Sequence, residues 1–219
     1  MLTIYGVTRS RASRIIWLCH EIGIPFKQVP VIQAYRLSDP DAADAPLNTH
    51  SASFLKISPA GAIPVIQDDD LILSESLACT QYLARKYGQP FGPADAAEDA
   101  LMLQWSFYAC TTIEPDALTI LFLHRAGQVQ SGADQAAITH AAERLVRPLR
   151  LLDEHLARSG HMIGGRFTVA DINMAEVVRY AQGYGELIDE FPALHAWLAD
   201  CQARPAFQQM WKERLAEPE

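Results

Sequence analysis

The chain has little of what marks a specialised class. Its four cysteines, Cys19, Cys79, Cys110 and Cys201, lie far apart and form no Cys-x-x-Cys pair, which speaks against a disulfide framework and a cysteine-ligated zinc module. They read as buried thiols that pack as small hydrophobes. The seven histidines show no metal-binding spacing, and no metal is expected. No apolar run is long enough to span a bilayer, and residues 1–5 enter an apolar, strand-like segment without the features of a signal peptide. The expectation is an intracellular, cytoplasmic protein with no membrane partner. Positive charge is scarce: 18 Lys and Arg stand against 26 Asp and Glu, for a formal net charge of −8. An acidic surface repels phosphate backbones, so no nucleic acid partner is expected. A small anionic ligand is still compatible, because a local pocket can be positive inside an acidic protein.

What is present divides the 219 residues in two. The first 87 alternate in character. Residues 2–5 read as a strand, and in 10–22 Ile15, Ile16, Leu18, Cys19 and Ile22 fall on helical spacing with Gly23 as the stop. Residues 26–32 read as a second strand, 36–50 as a polar loop with no nameable chemistry, and 54–57 as a short helix. Two strands, 63–67 and 71–73, flank Asp68-Asp69-Asp70, which suits a hairpin turn. Residues 75–87 form an amphipathic helix. Residues 88–95 (GQPFGPAD) read as a linker. From 96 onward the pattern is helical throughout, with long helices over about 96–124 and 133–158 and shorter ones starting near Val169, Pro192 and Pro205. The reading is therefore an α+β domain (1–87, order βαβαββα), a linker (88–95) and an all-helical domain (96–219).

Two local signals carry chemistry. In Ser58-Pro59-Ala60-Gly61-Ala62-Ile63-Pro64-Val65 a proline stands directly before an apolar strand, where it cannot donate to a ladder. A cis peptide bond is one reason for such a residue, an edge strand another. Eleven residues on, Ser74-Glu75-Ser76 opens a helix whose first amides and dipole favour an anion; a plain helix cap is the alternative.

Taken together, the strand ending at Tyr5, the serine-containing turn after it, the Ile63-Pro64 step and Ser74-Glu75-Ser76 resemble the cytosolic glutathione transferase superfamily. Tyr5, Ser10, Ser13 and Arg14 match the serine-using, theta-like pattern without gaps. Further on, Gly165-Arg166-Phe167-Thr168-Val169-Ala170-Asp171 looks like that family's capping box, with Thr168 as N-cap and Asp171 three residues later. The long 36–50 stretch exceeds what the family usually places there.

The resemblance implies a thioredoxin-like first domain, a helical-bundle second domain, glutathione as co-substrate, a role in detoxification and a homodimer. It puts Ser10 at the catalytic position, with Thr8 as the nearest rival donor. It implies that the Ile63 backbone, before a cis Pro64, pairs with the cysteinyl backbone of glutathione, and that Glu75 and Ser76 hold the γ-glutamyl end. The physical logic is that a free thiol has a pKa of about 8.5, and a hydroxyl donor beside a helix start favours the nucleophilic thiolate. Tyr108 and Thr112, one helical turn apart, are implied contacts for a small electrophile. Leu101, Met102 and Trp105 are offered as a partner contact, with packing inside their own domain as the alternative. Ala62 departs from the family, which often places a basic or amide residue there for the glycyl carboxylate; His50, Lys56 and Arg11 are candidate substitutes. The implied activity is conjugation of glutathione to an electrophile. A glutathione-dependent isomerase or disulfide reductase, and a non-enzymatic interaction module, are the alternatives.

Overall fold

A computed structural model describes residues 1–124 and 131–217. The chain forms two compact units: Met1–Gln89 together with Pro205–Glu219, and Pro90–Arg204. The helix Pro205–Ala216 thus groups with the α/β segment.

The first unit is built on a four-stranded mixed sheet in the order β2-β1-β3-β4, with β1 Leu2–Tyr5, β2 Phe26–Val29, β3 Val65–Asp68 and β4 Leu71–Ser74. β1 runs parallel to β2 and antiparallel to β3, where Ile4 faces Ile66. β3 and β4 form a tight hairpin in which Asp68 pairs with Leu71. Asp69 turns the corner at φ 54°, a left-handed conformation that Asp tolerates better than most residues. β2 and β3 are each shorter than the apolar runs suggest. Beyond β2 the chain continues past a bridge between Ile32 and Asn48. The peptide before β3, Ile63–Pro64, is cis.

Helix α1 (Ala12–Ile22) is the axis of this unit, and α2 is the short helix Ala52–Leu55. Every residue from Ala12 to Cys19 is buried, because one face meets the sheet and α3 (Ser76–Tyr87) while the other is covered by α10 (Pro205–Ala216). Trp17 stands edge-on to Phe207 at 4.9 Å between ring centroids. Gly23 ends α1 at φ 70° with its amide on the Cys19 carbonyl. A buried carboxylate ties α3 to the hairpin: Asp68 accepts from Tyr82 and Tyr87 hydroxyls and from Lys86 Nζ at 2.8–3.0 Å.

The second unit is helical: α4 Ala96–Tyr108, α5 Glu114–Leu123, α6 Gly132–Ser159, α7 Val169–Val178, α8 Gly185–Asp189 and α9 Pro192–Ala203. The single helix expected over 96–124 is interrupted. Residues Ala109–Ile113 form one π-helical turn between α4 and α5, a widening frequent at functional sites. Apolar periodicity does not reveal it, because α5 is apolar on most of its faces and a shift in phase leaves no mark there. Met102 is fully buried and Trp105 is 8% exposed, whereas Leu101 is 45% exposed. Met102 and Trp105 therefore pack within their own unit, Trp105 against Tyr108 and His155. Among the cysteines, Cys110 is only partly buried, which corrects the reading of all four as core thiols; Cys19, Cys79 and Cys201 are buried.

The start of α4 is tied to the segment before α7. Arg166 donates to both oxygens of Glu98 at 2.7 and 2.8 Å. Hydrogen bonding from Arg166 and from the Ala94 amide draws the Glu98 carboxyl down to about 2, below the usual value of about 4.3. Because the folded-state pKa is depressed, this pair contributes stability above roughly pH 4.3 that is lost as pH falls toward 2. Glu98→Gln is expected to flatten the acid limb of a stability–pH curve over that window. Gly164 lies over the pair at φ 60°, and a Cβ there would come within 2.6 Å of Arg166 Nη1 and 2.8 Å of Glu98 Oε1. Backbone strain and displacement of the pair then act together, so Gly164→Ala is expected to cost about 1–3 kcal/mol in urea denaturation.

Candidate functional site

The candidate site in the first unit is assembled from three connections of the fold. The first is the turn between β1 and α1. Ser10 N–H and Ser10 Oγ both donate to the Val7 carbonyl, at 3.1 and 2.7 Å. The Ser10 hydroxyl also accepts from Ala12 N–H at 3.1 Å, so it caps the approach to α1. Ser10 is partly exposed. Thr8 is 1% exposed, and its hydroxyl accepts from the Gln28 amide at 3.1 Å. The two hydroxyls are therefore in different surroundings, a distinction that sequence spacing does not supply. Tyr5 is a half-buried strand residue whose hydroxyl donates to Gln67 Oε1 at 3.1 Å.

The second connection is the cis Ile63–Pro64 step. Ser58 supports it by donating to the Ala62 carbonyl at 3.0 Å. Ala62 is exposed and offers no polar side-chain atom. Next to it is an open depression of about 400 Å³ whose lining includes Asp41, Thr49, His50, Leu55 and Gly61. Gly61 sits at φ 60°, and a Cβ would meet the Thr49 carbonyl at 3.1 Å. Of the three cations considered for the glycyl end, His50 borders this depression; it is exposed, with Nδ1 3.9 Å from Asp41 Oδ1.

Asn48 is the residue that sequence reasoning missed here. It is 1% exposed, donates to the Pro40 and Pro46 carbonyls at 2.9 Å, and accepts from His50 N–H at 2.8 Å. The 36–50 stretch is thus an organised loop around a buried amide. The Asn-Thr-His sequence held a usable signal, since Asn commonly bonds the backbone two residues on.

The third connection is the β4–α3 junction. Glu75 is exposed and has φ 66° and ψ 108°, a sparsely populated conformation for a residue with a Cβ, of the kind that clusters at ligand clamps. Ser76 follows as the first residue of α3 and is 4% exposed. Its hydroxyl accepts from Arg14 Nη1 at 3.0 Å. Arg14, itself 1% exposed, places a buried guanidinium of α1 behind the Ser76 hydroxyl.

The remaining predicted residues lie in the second unit. Tyr108 ends α4, with its hydroxyl donating to the Pro148 carbonyl at 3.5 Å; burial pushes its phenol pKa up. Thr112 lies in the π-helical turn and is exposed. The wider turn starts just after Tyr108 and contains Thr112, so the α-helical spacing used to place them on one face does not apply. Thr168 and Asp171 form a closed capping box at the start of α7. Burial pushes the Cys19 and Cys79 thiols up to about 12, which disfavours their thiolates. Among the described residues, no cluster of His, Cys, Asp and Glu could hold a metal ion, and no helix is long and apolar enough to cross a membrane.

Comparison with known proteins matches both parts. Residues 4–91 match the glutathione S-transferase N-terminal domain, and residues 135–200 match the glutathione S-transferase C-terminal domain. Glutathione S-transferase 3 of Zea mays is 31% identical over 216 residues, covering 94% of this chain and 91% of its own. The theta class glutathione S-transferase of Xanthomonas axonopodis pv. citri, solved with glutathione bound, is 28% identical with a TM-score of 0.73 and 95% of each chain covered. A glutathione transferase family member from Pseudomonas fluorescens, solved with two glutathione bound, is 27% identical with a TM-score of 0.79, covering 95% of this chain and 91% of that one. Sequence and fold agree, and the chain belongs to the glutathione S-transferase family.

Proposed function

We propose that this glutathione transferase activates the thiol of glutathione with the Ser10 hydroxyl and directs it at a small electrophile. The observation that carries the choice of residue is the contrast within one turn: Ser10 is partly exposed at the approach to α1, while Thr8 is buried with its hydroxyl on Gln28. To serve the sulfur, Ser10 exchanges its bond to the Val7 carbonyl for one to the thiolate. It keeps the Ala12 N–H as its own donor, and that bond strengthens its O–H as a donor in turn. No proton need leave the serine. The hydroxyl only has to favour the thiolate over the thiol, and the thiolate then forms the new carbon–sulfur bond as the leaving group departs.

The tripeptide is held along the three connections. The Ile63 backbone, at the step before Pro64, pairs with the cysteinyl residue. Ser76 and the start of α3 take the γ-glutamyl carboxylate, and Glu75 takes its ammonium. His50, beside the depression near Ala62, takes the glycyl carboxylate. Tyr108 and Thr112 contact the electrophile. The protein works in the cytoplasm as a homodimer, for which Leu101 of the expected trio stays exposed, and Leu103 and Phe107, one helical turn apart on α4, add exposed apolar surface on another face. A monomeric mass by light scattering at micromolar concentration would count against the dimer.

The test of the reading is the pKa of the bound thiol, followed by the near-ultraviolet absorbance of the thiolate. Ser10→Ala is expected to raise that pKa and slow conjugation at neutral pH, with partial rescue at higher pH and a smaller change in glutathione affinity. Thr8→Ala is the matched control. A larger rise in Thr8→Ala than in Ser10→Ala would transfer the role to Thr8.

A further inference from the structure

The turn that carries Ser10 is held from the far end of the chain. α10 lies along α1, with His20 Nε2 3.0 Å from Glu213 Oε2. Past the last turn of α10, the Glu217 side chain reaches the β1–α1 connection. Thr8 N–H donates to its Oε1 at 2.6 Å and Arg9 N–H to its Oε2 at 2.8 Å. Arg214 Nη1 donates to the Thr8 carbonyl at 2.6 Å, and Arg9 Nε donates to the Arg214 carbonyl at 3.1 Å. The Gln28 amide bridges Gly6 O, Thr8 Oγ1 and Glu217 Oε1 at 2.9, 3.1 and 3.4 Å.

These bonds fall on a particular pair of peptides. Ser10 N–H on the Val7 carbonyl closes a four-residue turn, and Thr8 and Arg9 are its two central residues. Their amides belong to no helix or strand, and both donate to Glu217. One carboxylate takes both in charge-assisted bonds, one oxygen to each. We propose that Glu217 is a positioning residue: it fixes the two central amides of the turn and so sets where the Ser10 hydroxyl points. The inference rests on Ser10 being the thiol-activating group.

The charge of Glu217 and its geometry act in opposite directions on a nearby thiol. A carboxylate disfavours a second anion close by, so its charge alone raises the thiol pKa. A correctly held Ser10 lowers it. Positioning therefore predicts that loss of Glu217 raises the thiol pKa, although a negative charge has been removed.

The experiment compares wild type, Glu217→Ala and Glu217→Gln as full chains, with glutathione and a nitro-activated aryl chloride as the probe. Three quantities are read: the pKa of the bound thiol, kcat against KM for glutathione, and amide hydrogen exchange at Thr8 and Arg9. Glu217→Ala is expected to lower kcat by about tenfold at neutral pH, the scale of a misplaced catalytic group, with KM for glutathione changed less. Its thiol pKa should rise, and the Thr8 and Arg9 amides should exchange faster while β1 stays protected. Glu217→Gln keeps an oxygen acceptor and is expected to recover part of the lost kcat. If both variants lower the thiol pKa and keep or raise kcat, Glu217 acts only as a neighbouring charge and the proposal is wrong. Loss of thermal stability with an unchanged pH profile and kcat would make it a structural clasp and overturn the proposal equally. Ser10→Ala run alongside separates the two levels. A silent Ser10→Ala overturns the reading of the turn and the positioning role with it, whereas an active Ser10→Ala beside a silent Glu217→Ala removes the positioning role alone.

Discussion

Asp171→Ala is expected to cost about 3–5 kcal/mol, the scale of breaking a buried ionic network by removing one partner. Asp171 is fully buried. Its Oδ2 accepts from Thr168 N–H and Oγ1 at 2.8 and 3.1 Å, and its Oδ1 from Met162 N–H and Trp197 Nε1 at 3.0 and 2.9 Å. One carboxylate thus closes the capping box of α7, anchors the segment before it and pins α9. Removing it strands several buried donors, each at about 1–3 kcal/mol before relaxation. Thr168→Ala removes a cap hydroxyl and is expected to cost only about 1–2 kcal/mol. Asp171→Asn, which keeps one acceptor oxygen, should fall between them. Urea midpoints of the three variants check the order, and a milder Asp171→Ala than Thr168→Ala would refute the shared-anchor account.

The same residue gives a pH signature. His161 Nδ1 lies 3.5 Å from Asp171 Oδ1, too long for a firm hydrogen bond but close enough for an ion pair. Attraction to Asp171 raises the imidazole pKa above 6.5. A raised folded-state pKa means that this pair contributes stability fully below the unfolded value of about 6.5 and loses it as pH rises through the folded one. The part of the Asp171→Asn penalty that comes from His161 should therefore shrink on going from mildly acidic to alkaline buffer.

The second large effect belongs to the proposed glutathione site. Ser76→Ala is expected to weaken glutathione binding by about 1.5–3 kcal/mol, the scale of losing a hydrogen bond to a charged group. That is roughly ten- to a hundredfold in Kd. The hydroxyl is suited to the task because it accepts from Arg14 at 3.0 Å and is left with its hydrogen to donate. A cationic donor behind it polarises that hydrogen toward an anion in front. Calorimetry measures the loss directly, and an unchanged affinity would remove Ser76 from the site.

Much of this was legible in the sequence because it is local. The hairpin at Asp68 to Asp70, the glycine stop after α1 and the Thr168–Asp171 box each depend on residues within a few positions of one another. Ser10, Pro64, Glu75 and Ser76 are proposed for the site because the order and spacing of weak motifs resemble a family. Other features were not legible, for two reasons. Some are contacts at long range: Arg14 with Ser76 spans 62 positions and Thr8 with Glu217 spans 209. No periodicity reports such a pairing. Others break a rule without disturbing composition. The π-helical turn at Ala109–Ile113 keeps its apolar residues, and Asn48 sits in a stretch whose polarity resembles any surface loop.

The placement of α10 beside α1 has a consequence for how the protein is made. A ribosome adds roughly 5–20 residues per second. The Thr8 turn emerges first, and Glu217 follows it by 209 residues, so the two meet after roughly ten seconds or more at that rate. Throughout that time the face of α1 that receives Phe207 stands open on the nascent chain. Until α10 is made and docks, a nascent α1 presents the apolar ring of Trp17 uncovered.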